Sequence, residues 1–177
     1  MRCRNHVIGV TFALFSALAI SAFAGEAGWI TNYAKAVEQA KTENKAILLD
    51  FTGSDWCGWC MKMKQETLDT PIFKQYARKN LVLVEVDFPQ AKPQSAEVKK
   101  QNQQLSQKFN VHGYPAFIIL DKDGNHLGRQ DGYLEGGPTA FLAEIKKFYT
   151  PPVTSDSSGS GSDFDAFFKK PAQSPVP

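Results

Sequence analysis

Cys57 and Cys60 are the side chains whose type and spacing most directly suggest chemistry: Trp56-Cys57-Gly58-Trp59-Cys60 sets two thiols three residues apart. At the start of a helix such a pair puts the first sulfur beside unsatisfied backbone N–H groups and the positive end of the helix dipole, and both favour thiolate over thiol. A free thiol with a pKa of about 8.5 falls to roughly 3.5 to 7.5 in such motifs, so Cys57 would be a nucleophile near neutral pH. It would open a disulfide to give a mixed disulfide. Cys60, one helical turn on, would then resolve it.

Two other uses of the pair have to be weighed. A single C-x-x-C supplies half of a tetrahedral zinc site, and His112 and His126, the histidines outside the N-terminal leader, form no second close ligand pair. No metal and no other cofactor is expected. A purely structural disulfide is the second use, but so small a loop constrains the unfolded chain little. Cys3 falls in the leader, which leaves Cys57 and Cys60 as the only pair in the mature chain. In an oxidising compartment a lone close pair reads as redox chemistry.

The elements that must hold the pair follow from periodicity. From Trp29 to Lys45, apolar residues at Ile30, Tyr33, Ala34, Val37 and Ala40 mark an amphipathic helix. Ala46 to Thr52 (AILLDFT) is a short apolar run, a strand buried on both faces, in which Asp50 is chemically out of place. Residues 53–56 are turn-like and Cys57 to Leu68 favour helix, which Pro71 interrupts before a further helical piece from Ile72 to Arg78. Leu81 to Asp87 is a second strand, Phe88 to Ala96 a loop, and Glu97 to Phe109 a helix. Ala116 to Asp121 and His126 to Asp131 form a hairpin about Lys122-Asp123-Gly124-Asn125, and Thr139 to Tyr149 is a closing helix.

A strand ending Leu49-Asp50-Phe51, then Trp56-Cys57-Gly58-Trp59-Cys60, then Gly113-Tyr114-Pro115 ahead of a strand resembles the thioredoxin superfamily, and the resemblance covers roughly residues 27–149. It implies an α/β thioredoxin fold, a central four-stranded mixed sheet flanked by helices. Asp50 is similar to the buried acid that exchanges a proton with the resolving cysteine, and a carboxyl buried in an apolar strand has a raised pKa that suits it to general acid or base work. Capping a helix or turn is its plainer alternative. Pro115 resembles the cis-proline that lies against the active-site disulfide and leaves the preceding backbone free to pair with an extended substrate; a trans proline opening a strand is the plainer reading. Tyr114 would then influence selectivity. Trp56 and Trp59 supply apolar surface around the sulfurs, either for a substrate protein or for packing on their own helix.

The sequence also departs from that pattern. One extra residue separates Asp50 from Cys57, the central dipeptide is Gly-Trp rather than Gly-Pro, and Leu83 takes the strand position of the lysine usually near the buried acid. That acid is therefore expected to lack its usual cationic neighbour.

Length and composition frame the rest. A chain of 177 residues with 42% apolar and 21% charged residues suits one globular domain with appendages. Residues 1–24 combine Arg2 and Arg4, an apolar run from Val7 to Ile20 and an Ala22-Phe23-Ala24 ending, which reads as a signal peptide, with an uncleaved anchor as the alternative. Its removal leaves 18 basic against 18 acidic residues, so the basic precursor implies no nucleic-acid partner. Residues 150–177, with 13 Pro, Ser or Gly, read as a disordered tail whose Phe164 to Lys170 stretch is a candidate docking motif. The expected protein is a periplasmic or secreted monomer of residues 25–149 plus this tail. It would act as a thiol–disulfide oxidoreductase on exported proteins, as reductase and with a membrane redox partner. A thioredoxin-fold binding scaffold with an idle cysteine pair is the alternative.

Overall fold

The computed structural model describes residues 28–151; the expected signal peptide, and the expected tail from residue 152 on, lie outside them. A four-stranded sheet has the order β2-β1-β3-β4, with β1 Ala46–Thr52, β2 Leu81–Asp87, β3 Ala116–Leu120 and β4 His126–Asp131. β1 pairs parallel with β2 and antiparallel with β3, and β3 pairs antiparallel with β4. All seven residues of β1 are buried, as a central strand covered by helices on both faces requires.

Five α-helices flank the sheet: α1 Tyr33–Glu43, α2 Gly58–Met63, α3 Pro71–Asn80, α4 Ala96–Lys108 and α5 Gly137–Phe148. Alternation along β1 divides the core in two. Ala46 and Leu48 pack with Met63 of α2, Phe73 of α3, Phe117 of β3 and Phe141 of α5. Ile47, Leu49 and Phe51 face Ala36 and Ala40 of α1 and Leu105 of α4. Phe117 and Phe141 meet edge to face at 4.8 Å between ring centroids.

Several boundaries differ from the sequence reading for local reasons. α1 starts only after Asn32, whose side chain caps the amide of Lys35, and it ends at Asn44 in the left-handed region. Ile30, counted above in the helical stripe, instead forms a parallel bridge with Val84 on the outer edge of β2, donating to the Leu83 carbonyl and accepting from the Glu85 amide. The helix expected through Leu68 is α-helical only to Met63. Lys64–Leu68 widens into a π-helical segment closed by the Asp69 amide on the Lys64 carbonyl at 2.8 Å, which buries the consecutive Thr67 and Leu68. α3 begins where Thr70 caps and Pro71 fits the first turn.

Candidate active site around Cys57 and Cys60

Strand β1 delivers the chain to the site through a tight turn. The amides of Trp56 and Cys57 both donate to the Gly53 carbonyl, at 3.3 and 2.9 Å. A Cβ on residue 53 would lie 2.4 Å from the Trp56 indole, so only glycine lets the indole fold back over the turn. Cys57 is the N-cap of α2, and its Sγ accepts the Cys60 amide at 3.2 Å. The two sulfurs form a disulfide, with the Cα atoms 5.2 Å apart. An amide aimed at Sγ from the first turn of a helix favours an anion there once the pair is reduced. Cys57 is 7% exposed and Cys60 4%, so both sulfurs lie nearly covered by the side chains around them.

Asp50 lies on the face of β1 shared with Leu48, the face that α2 covers, and its Oδ1 has no hydrogen-bond partner among the described residues. Burial is the main cause that pushes its carboxyl up to about 8, the opposed Glu85 adds to the shift, Lys64 counteracts it and Asp87 raises it further. The register explains the second cause: Glu85 is the β2 partner of Asp50, and Phe117 its β3 partner. The sequence reading expected no cation near this acid because Leu83 replaces a lysine. Positive charge comes instead from Lys64, four residues beyond Cys60 on the same side of the helix.

Pro115 follows a cis peptide bond from Tyr114 and ends one step beyond the Phe51–Ala116 pair, beside the end of β1 that leads into the cysteine turn. Its carbonyl accepts the Gly132 amide at 2.8 Å. Tyr114 meets Trp56 edge-on at 5.8 Å between centroids and lies 5.2 Å from the ring of Phe88. Trp56 is 42% exposed and Trp59 59%, so neither is buried against its own helix. Trp59 rests at 5.4 Å on Tyr133, and the Lys62 ammonium lies 4.7 Å from the Tyr133 ring. A hydrogen bond donated to Glu66 holds the Tyr133 hydroxyl and, as the main cause, raises its pKa to about 12.

The structure therefore gathers Asp50, Trp56, Cys57, Cys60, Trp59, Tyr114 and Pro115 at one end of the sheet. Sequence reading missed Glu85, Phe88, Tyr133 and Asp55. Glu85 and Tyr133 reach the site through register and a loop turn. Asp55, next to the motif, bonds a loop more than thirty residues away.

Residues 33–149 match the thioredoxin-like domain family. The chain belongs to that family. This thioredoxin-like chain is 42% identical over 115 residues to the disulfide bond reductase DsbH of Chlamydia pneumoniae, a match covering 65% of this chain and 69% of that protein. The thioredoxin-related protein DsbJ of the same organism is 33% identical over 101 residues, but the match spans only 29% of its length. A solved structure of a DsbH oxidoreductase superposes with a TM-score of 0.64 at 35% identity, covering 81% of this chain and 93% of that one. By homology and by its cysteine pair, the thioredoxin-like chain is a thiol–disulfide oxidoreductase.

Proposed function

We propose that this protein is exported and reduces disulfides in other exported proteins, through Cys57 as nucleophile, Cys60 as resolving thiol and Asp50 as proton acceptor. The observation that carries the reading is the Cys60 amide directed at Cys57 Sγ; a carboxyl buried on the face of β1 that α2 covers, its pKa pushed up to about 8, supports the role of proton acceptor. In the reduced protein the Cys57 thiolate attacks one sulfur of a substrate disulfide. A Cys57–substrate bond forms, and the other substrate sulfur leaves as thiolate and takes up a proton. Asp50 then accepts the Cys60 proton, and the new thiolate attacks Cys57 Sγ. The second substrate sulfur leaves as thiolate and takes up a proton from water, Asp50 returns its proton to solvent, and the Cys57–Cys60 disulfide remains.

Two electrons have passed to the substrate, so a membrane-bound donor has to reduce the pair again. Trp56, Trp59, Tyr114 and Pro115 line the approach to Cys57, and an extended substrate segment would pair with the backbone ahead of Pro115. The reductive direction draws its support from the 42% identity to a disulfide bond reductase. Residues 1–24 supply export, and neither nucleic acid nor a cofactor enters the reaction.

Insulin reduction driven by dithiothreitol tests the activity: turnover by the wild-type chain, lost in Cys57→Ser, is expected. Equal turnover in that variant favours a binding scaffold instead. The reduction potential decides direction, with a value near about −270 mV expected for a reductase and one near about −120 mV for an oxidase.

A further inference from the structure

Three consecutive residues just before the nucleophile are each tied to the segment that follows β2. The Ser54 amide and hydroxyl donate to the Asp87 carboxylate at 2.9 and 2.6 Å. Asp55 accepts the amides of Gln90, Ala91 and Lys92 at 2.9, 2.7 and 3.0 Å. Trp56 donates its indole N–H to the Phe88 carbonyl at 2.8 Å. From the other side, the Lys92 ammonium reaches the Ser54 hydroxyl at 3.0 Å. The base of the loop is fixed too, because the Phe88 amide bonds the Thr52 carbonyl and the buried Asn102 holds the Asp87 carbonyl.

A carboxylate that collects three adjacent backbone amides is a strong, directional anchor, and the Gln90 amide leads the causes that hold the Asp55 carboxyl below its usual range. Pro89 and Pro93 restrict the loop further, so little freedom remains to be lost on docking. The product of these ties is an aromatic wall: Phe88, Tyr114 and Trp56 in sequential ring contact beside a nearly buried Cys57.

Resting on the reductase reading above, we propose that residues 88–95 are the specificity element of the site and that Asp55 is the positioning residue that clamps them. The clamp governs capture of polypeptide substrates, which lie along the wall while their disulfide meets Cys57. It leaves the sulfur chemistry itself unchanged, since Asp55 bonds the loop and neither cysteine. Small disulfides, which need no wall, would not sense it.

The full mature chain, reduced and freed of excess reductant, is mixed in single turnover with insulin or with the small disulfide 5,5′-dithiobis(2-nitrobenzoate). Asp55→Ala is expected to slow the second-order reaction with insulin by about tenfold, as loss of substrate positioning does, while the small disulfide reacts within about twofold of wild type. Asp55→Asn, which keeps one acceptor oxygen, provides the intermediate insulin rate and a second readout should the alanine variant not fold. Amide exchange at Gln90, Ala91 and Lys92 should quicken in step with the insulin loss. Equal slowing toward both substrates, or no slowing toward insulin, overturns the clamp while leaving the reductase reading intact. A wild-type chain inert toward both probes overturns the two together.

Discussion

Asp50 and Glu85 occupy the same rung of the parallel β1–β2 pair, so two carboxyl groups face one helix-covered side of the sheet. Asp50 is buried and Glu85 half-buried, and like charges so placed cannot both ionise cheaply. The Glu85 charge thus adds to burial in holding the proton on Asp50, which becomes free to accept one as the pH approaches about 8.

Glu85→Gln removes that neighbouring charge but leaves the burial. The Asp50 carboxyl should titrate below its present value of about 8, though still above an ordinary aspartate, because burial is the larger cause. The pH at which the resolving step accelerates should fall with it. Stopped-flow measurement of mixed-disulfide decay against pH reads this shift, and an unchanged profile would show that Glu85 does not act on Asp50.

Stability should carry the same signature with a sign opposite to that of most acids. The unfolded chain releases the Asp50 proton near pH 4 while the folded chain holds it until about 8, so the unfolded state binds fewer protons across that window. Stability from this group is thus lost as pH rises from about 4 to about 8 and is flat above. Asp50→Asn should remove that slope and stabilise the protein at pH 8 relative to wild type, by several kcal/mol as an upper bound. Urea unfolding at a series of pH values checks it, and parallel curves for the two proteins would refute it.

Loss of the resolving thiol should stop the reaction halfway. Cys60→Ser keeps the capped Cys57 sulfur and should accumulate a Cys57–substrate adduct that mass spectrometry detects. Free release of reduced substrate at the wild-type rate would mean that Cys60 has no resolving role.

Gly53→Ala forces a methyl group to within 2.4 Å of the Trp56 indole. The ring must move, its bond to the Phe88 carbonyl breaks, and the contact with Tyr114 goes with it. A loss of about 1 to 3 kcal/mol in stability is expected, as for other overpacked sites, together with a changed tryptophan emission spectrum. Unaltered emission and an unaltered melting temperature would show that the turn has room to spare.

Much of this architecture was legible in the sequence because its signals are local. Ala46–Thr52 announces a central strand by being apolar throughout, and the scarcity of cysteine singles out Cys57 and Cys60. What stayed hidden depends on pairing between distant segments. Nothing near Glu85 says that it will face Asp50, since a shift of one residue would turn it to the other side of the sheet. Asp55 looks like an ordinary turn residue until the loop at 90–92 folds onto it. Ile30 fits a helical stripe by spacing, yet a sheet edge offered it hydrogen bonds that a fraying first turn could not.

That bridge has a consequence for self-association, because an exposed strand edge is a template for aggregation. By occupying the Leu83 carbonyl and the Glu85 amide, Ile30 blocks the middle of the β2 margin, so a second molecule cannot zip along it without first peeling the segment away.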